Sequence, residues 1–228
     1  MSFVRNVLIS CADADSRPGQ NTPKCLEPVD GRPLIYWQLD HLQDIENVVV
    51  VISHKASEVM AAVMEKRPDA IFVVNHDPQT TSLLDSMAMA VRWLREPFVY
   101  LEGGCLVDSS VLELMADAPC PSVGIRRTYS EEPLCVRLGT NDREGLVVGF
   151  TEEPQEYEWI GLAKLLPQHV KAARGVESVS KAIERFLPVP AVEVQCVEAE
   201  SEPDFERARS LMREWLPSDR PDTEALGA

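Results

Sequence analysis

The sequence predicts an α/β domain built on a largely parallel sheet. Three observations predict it. Short, continuous apolar runs recur at Val7–Cys11, Val48–Ile52, Ile71–Val74 and Phe98–Leu101. Such runs mark strands covered on both faces. Segments with apolar residues three and four apart separate them, at Leu34–Leu42, Ala56–Glu65 and Leu83–Leu94. Strand and helix alternating at this spacing build crossover units and a parallel sheet.

The elements follow in order. Pro33 opens the first helical segment, where its missing N–H costs nothing. Leu84, Met87, Ala88 and Val91 give the third helix one apolar face, with Ser82 placed to cap it. The second half has a shorter rhythm: strands at Val123–Ile125, Cys135–Leu138 and Leu146–Phe150, the last two joined by a turn over Asn141–Gly145. Trp159–Leu162 and Ala191–Val197 read as further strands, Val176–Phe186 and Asp204–Leu216 as helices, and 217–228 as a polar tail.

Composition bounds the function. The chain of 228 residues carries 22 Lys+Arg against 37 Asp+Glu, a net charge of −15. That field repels phosphate backbones and anionic lipid, which argues against nucleic-acid and membrane partners. It leaves room for a small anion in a local positive pocket. No run reaches the ~20 apolar residues of a membrane span, and the first nine residues are too short and wrongly flanked for a secretory signal. Six cysteines are scattered without a C-x-x-C pair, which reads as reduced thiols in a cytoplasmic protein. There is no G-x-G-x-x-G, no G-x-x-x-x-G-K-[ST] and no G-x-S-x-G.

The stretch Val7–Ile35 carries most of the chemical information. A strand enters a polar loop with Ser16-Arg17 and Pro23-Lys24, then Pro28-Val29-Asp30-Gly31-Arg32-Pro33-Leu34-Ile35. It resembles the opening of nucleotidyltransferases that couple a nucleoside triphosphate to a phosphorylated small molecule, A-A-G-x-G-[ST]-R-L followed by P-K-x-L-x-x-[VI]-x-G-x-P-L-[IL]. Further stretches resemble the choline-phosphate and phosphonate cytidylyltransferase branch, in the same order. They are Asn75–Ser86 with Thr81, Glu156–Lys164 with Glu158, Trp159 and Gly161, and Glu198–Ala208.

The resemblance implies a Rossmann-like, mixed but mostly parallel sheet flanked by helices, the nucleotide-diphospho-sugar transferase fold. An antiparallel insertion belongs to it, and the domain spans residues 1–216. It implies transfer of CMP from CTP to a phosphorylated or phosphonylated acceptor, with the partners a nucleotide and that acceptor. Lys24 and Arg17 would neutralise the triphosphate. Ser16, Asn75, Thr81, Ser86, Glu158 and Trp159 match nucleotide or substrate positions. For Asn75, Thr81 and Ser86 helix capping is the alternative, and for Trp159 a place in the core. For Lys24 the alternative is a solvated loop lysine.

The chain departs from the pattern where the chemistry sits. Its loop reads Ala12-Asp13-Ala14-Asp15-Ser16-Arg17 without a glycine, and Asp13 and Asp15 form either a solvated acidic loop or a rebuilt cation site. After the fourth strand it reads Leu101-Glu102-Gly103-Gly104-Cys105, with Gly104 where the family places a metal-binding Asp. Glu200 stands where a second Asp is expected. If the protein is active, Mg²⁺ is the implied cofactor, with Glu102, Asp108 and Glu200 as candidate ligands. Asp108 is alternatively a helix cap, and Cys105 a buried strand-end thiol. A second reading follows: a catalytically degenerate member with no cofactor, acting as a binding or partner protein or running a different reaction. Oligomerisation or a protein partner fits either.

Overall fold

The computed structural model describes residues 4–12, 22–77, 80–130, 132–198, 204, 206–208 and 210. The first half contains β1 (Asn6–Cys11), β2 (Pro28–Val29), β3 (Arg32–Pro33), α1 (Leu34–Asp40), β4 (Asn47–Ile52), α2 (Ala56–Lys66), β5 (Ile71–Val74) and α3 (Leu83–Ala90). It continues with β6 (Phe98–Glu102), β7 (Cys105–Val107), α4 (Ser109–Asp117) and β8 (Ser122–Arg127). The second half holds β9 (Cys135–Leu138), β10 (Leu146–Thr151), β11 (Tyr157–Leu165), α5 (Pro167–Ala172), α6 (Val179–Ile183), β12 (Val189–Glu193) and β13 (Cys196–Glu198).

Nine strands form one sheet in the order β5-β4-β1-β6-β11-β8-β12-β10-β9. The first four are parallel, as their unbroken apolar runs require. Alternate residues of these strands feed two cores. Leu8, Val49, Val51 and Tyr100 face one side with Met87 of α3 and Trp159. Val7, Ile9, Val48, Val50 and Leu101 face the other with Leu39 of α1 and Val63 of α2.

The antiparallel strands complete this same sheet. β11 lies between β6 and β8, antiparallel to both, and β12 returns parallel to β8. Strands β6 and β8 therefore run the same way, and both end at one edge of the sheet. The hairpin between β9 and β10 turns over Asn141 and Gly145, both at positive φ (57° and 76°). Asn and Gly tolerate that region better than other residues.

Three of the boundaries that differ from the sequence expectation have a clear local cause. α3 ends at Ala90, because the chain tightens into i→i+3 bonds from Arg92, Trp93 and Leu94. The expected strand at 191–197 is two strands: β12 stays in the main sheet, while β13 bends away and pairs with β7. The helix expected from Val176 begins only after Ser178, whose hydroxyl accepts the Lys181 N–H. The tail at 217–228 lies outside the described residues.

Candidate active site

The site follows from strand order. The chain passes from β1 to β4 and β5 on one side, then crosses back to β6 on the other. The carboxyl ends of β1 and β6 thus form a switch point, where open α/β sheets bind ligands. Ser10 and Glu102 are register partners at this end. The Gly103 N–H donates to the Ser10 carbonyl at 2.7 Å. A Cβ on Gly103 would lie 2.7 Å from that oxygen, 3.3 Å from Cys11 Sγ and 3.4 Å from Cys25 Cβ. Only glycine fits there, and the long loop that leaves β1 returns to the switch point at Cys25.

Lys24 is the residue before Cys25 and opens a 3₁₀ turn, Lys24–Leu26, held by the Leu26 N–H on the Pro23 carbonyl at 2.8 Å. A two-residue turn follows at Asp30 and Gly31, with φ of 51° and 76°. Trp37 Nε1 donates to the Val29 carbonyl at 3.0 Å and fixes this small ribbon on α1. The same helix holds the turn after β6, since Gln38 Nε2 donates to the carbonyls of Glu102 (2.9 Å) and Cys105 (2.6 Å). Just after β4, the Ser53 hydroxyl donates to the Ala12 carbonyl at 2.9 Å.

Beside the switch point, where the paired strands β6 and β11 meet the segment leading into β9, opens a cavity of about 200 Å³ lined by the carboxylates Glu102, Glu132 and Glu158 together with Ser130, Leu134, Trp159 and Gly161. Gly161, at φ +66°, leaves its side-chain space to Glu102. The Tyr100 hydroxyl lies 3.4 Å from Glu102 Oε1. Glu158 is buried and its Oε1 accepts from Arg126 Nε at 2.7 Å and from the Tyr129 N–H at 3.3 Å. Burial opposes the Arg126 charge, but Cys196, Tyr129 and Glu158 outweigh it and its pKa is raised.

The residues singled out from sequence divide into groups. Glu102, Glu158 and Trp159 come together around the cavity. Trp159 is also a core residue: its Nε1 donates to the Leu162 carbonyl at 3.0 Å, and its ring meets Phe150 edge-on at 6.0 Å. Asn75 and Thr81 come together in the loop after β5, where Asn75 Oδ1 accepts from the Asp77 N–H (3.0 Å) and the Thr81 hydroxyl (2.9 Å). Ser86 is fully buried on α3, its hydroxyl 3.5 Å from the Ser82 carbonyl. Ser16, Arg17, Asp13, Asp15 and Glu200 lie outside the described residues.

Asp108 shows the capping role that the sequence offered beside a metal-ligand role. It caps α4, its Oδ1 accepting from the Val111 N–H at 3.1 Å and from the Ser110 hydroxyl at 2.6 Å. Glu158 is engaged by Arg126. Among the described residues no three His, Cys, Asp or Glu side chains gather as a metal site. The described donors therefore do not by themselves make a Mg²⁺ centre of the oxygen-rich kind.

Sequence reading missed Arg126, Tyr129 and Gln38. One signal was present: Arg126 directly follows the apolar stretch Val123–Ile125 in the alternation of a strand, and a buried arginine requires a carboxylate opposite it. Glu158 is its register partner.

Comparison with known proteins agrees with this architecture. The chain is 30% identical over 143 residues to CMP-5'-(3-aminopropyl)phosphonate synthase of Streptomyces rubellomurinus, covering 61% of this chain and 23% of that protein. It is 28% identical over 152 residues to the bifunctional protein GlmU of Burkholderia orbicola, covering 65% of this chain and 33% of that one. The match thus spans a third or less of these relatives' own lengths. Among solved structures, the inositol-1-phosphate CTP transferase from T. maritima superposes with a TM-score of 0.76 at 17% identity, covering 92% of this chain and 96% of that one. HddC from Yersinia pseudotuberculosis superposes at 0.74 and 14%, covering 92% and 100%. These two likenesses show the nucleotide-diphospho-sugar transferase fold. Residues 7–150 match the family model for the MobA-like NTP transferase domain, and the chain belongs to that family.

Proposed function

We propose that the protein transfers CMP from CTP to a phosphonylated or phosphorylated small molecule. The observation that carries the reading is the 30% identity with a CMP-phosphonate synthase. The switch-point geometry supports it: the turn bearing Lys24 returns beside Gly103, and Glu102 borders a cavity large enough for a small acceptor.

On this reading an acceptor phosphonate or phosphate oxygen attacks the α-phosphorus of CTP. The new O–Pα bond forms as the bond from Pα to the bridging oxygen breaks, and pyrophosphate leaves with that oxygen. Lys24 and Arg17 neutralise the triphosphate and the departing charge. Ser16, Asn75 and Thr81 serve the nucleotide side, with Ser86 buried behind them on α3, and Glu158 and Trp159 wall the acceptor side. Were Mg²⁺ used, as relatives of this kind generally do, it would supply positive charge to the phosphates. Glu102, at the end of β6, is the candidate ligand among the described residues, beside the other cavity carboxylates Glu132 and Glu158, while Asp108 caps α4.

Gly104 favours a second reading, because it stands where the resembling pattern supplies a metal-binding Asp. In that case the protein binds a related ligand without nucleotidyl transfer. Pyrophosphate release decides between them, measured with CTP, UTP, GTP and ATP against 3-aminopropylphosphonate and phosphocholine, with and without Mg²⁺. Release specific to CTP and lost in Lys24→Ala supports transfer. No release with any pair, restored by Gly104→Asp together with Glu200→Asp and a glycine-containing loop at 12–15, supports the degenerate reading.

A further inference from the structure

Four segments meet at one buried guanidinium. Arg126, 4% exposed, sits at the carboxyl end of β8. Its Nε donates to Glu158 Oε1 of β11 at 2.7 Å. Its Nη2 donates to the Ser130 hydroxyl at 2.9 Å. Its Nη1 donates to the Tyr129 hydroxyl at 2.6 Å and to the Cys196 carbonyl of β13 at 3.2 Å. The guanidinium also lies 3.9 Å from the centre of the Tyr129 ring, and Arg207 lies over the same ring at 4.1 Å. The Tyr129 hydroxyl reaches the Cys196 carbonyl at 3.3 Å.

Two of these partners, Ser130 and Glu158, line the cavity beside Glu102. The other two tie that wall to β13 and to the segment bearing Arg207. A guanidinium offers donors in a rigid planar fork, and an ammonium of similar reach cannot serve four acceptors in one plane. Burial of the pair makes its geometry costly to distort.

We propose that Arg126 is a positioning residue for the acceptor, locking the wall formed by Ser130 and Glu158 onto β13 so that the cavity keeps one shape. This inference rests on the transfer reading for the identity of the cavity's occupant, and on geometry alone for the lock. It distinguishes the two halves of the site. Among the described residues, the hydrogen-bond partners of Arg126 lie in the acceptor half and none lies in the Lys24 turn.

The test uses the full chain with Arg126→Lys, and Tyr129→Phe as a milder second variant. Steady-state kinetics would follow CTP and 3-aminopropylphosphonate, and hydrogen exchange would follow the amides of Tyr129, Ser130, Cys196 and Val197. The expected result for Arg126→Lys is at least a tenfold rise in KM for the phosphonate, with KM for CTP and kcat within about twofold. Exchange should quicken together at 129–130 and 196–197 and stay unchanged in β1 and β4. Tyr129→Phe should shift the same quantities in the same direction by less. An unchanged phosphonate KM, or a parallel rise in both KM values, overturns the proposal. If the unmodified protein releases no pyrophosphate, the transfer reading fails on its own, and exchange decides the lock. Coupled quickening upholds it; quickening in one segment only, or throughout the sheet, overturns it.

Discussion

Gly161 and Glu102 share one space. A Cβ built on Gly161 would lie 2.7 Å from the Cβ, Cγ and Cδ of Glu102 alike. The two residues face each other across β11 and β6, where β6 ends at the switch point. The glycine holds φ +66°, which a side chain rarely adopts. Its missing side chain is what lets the Glu102 carboxylate lie beside the cavity.

Gly161→Ala should therefore cost stability and displace Glu102. Strain at a positive φ is worth of order 1–3 kcal/mol, and the clash adds to it. Thermal unfolding should show a fall in Tm of several degrees, and any activity that depends on Glu102 should fall with it. An unchanged Tm would mean that the backbone at 161 relaxes freely.

Lys24→Ala tests the nucleotide side. A charge-assisted hydrogen bond to a phosphate is worth about 1.5–3 kcal/mol, so CTP affinity should fall roughly ten- to a hundredfold. Tm should change little, because Lys24 is only half-buried on a short turn. Calorimetric titration with CTP measures the effect, and equal affinity in both proteins would remove Lys24 from the site.

Ser82→Ala tests the capping of α3. Ser82 and Asp85 form a reciprocal cap: the Ser82 hydroxyl accepts the Asp85 N–H at 3.2 Å, and Asp85 Oδ2 accepts the Ser82 N–H at 3.1 Å. The Ser82 side chain, its backbone N–H and Arg174 hold the Asp85 pKa below the ordinary carboxylate value. Loss of the cap should cost about 1 kcal/mol, seen as a lower urea midpoint. A midpoint matching the parent would show that tertiary packing alone holds α3.

His169 should make stability fall in mild acid. Burial lowers its pKa from the usual 6.5, and its Nδ1 accepts the Leu166 N–H at 3.2 Å, which requires the neutral ring. The folded state therefore binds a proton less readily than the unfolded chain. The stability contributed by the neutral ring is present above pH 6.5 and is lost as the pH falls through the lower folded value. Urea midpoints at pH 8 and pH 5.5 should differ, and His169→Gln should flatten that difference. The Asp85 contribution titrates lower still, below the ordinary carboxylate range, so the two windows separate. An identical pH slope in the variant would exclude His169 as its source.

The sequence by itself determined the parallel half of the sheet. Runs such as Val48–Ile52 are apolar at every position, and only a strand covered on both faces buries them all. Local caps were equally legible: Ser82 and Asp108 each stand directly before an apolar helical period, and both cap in the structure. The ordered motifs from Pro23-Lys24 to Gly161 identified the family, because they report backbone turns that few residue types can make. The tertiary structure decided the rest. Whether Asp108 or Glu158 is available to a ligand depends on which groups the fold brings to them, and those groups are a helix terminus and Arg126. The splitting of 191–197 between two sheets depends on β7, a strand some ninety residues earlier in the chain. Gly161 could be read as a glycine but not as the space for Glu102, since that contact joins strands nearly sixty residues apart. Periodicity and capping are local and are written along the chain, whereas the shape and charge of a cavity arise from side chains that only the finished sheet makes neighbours.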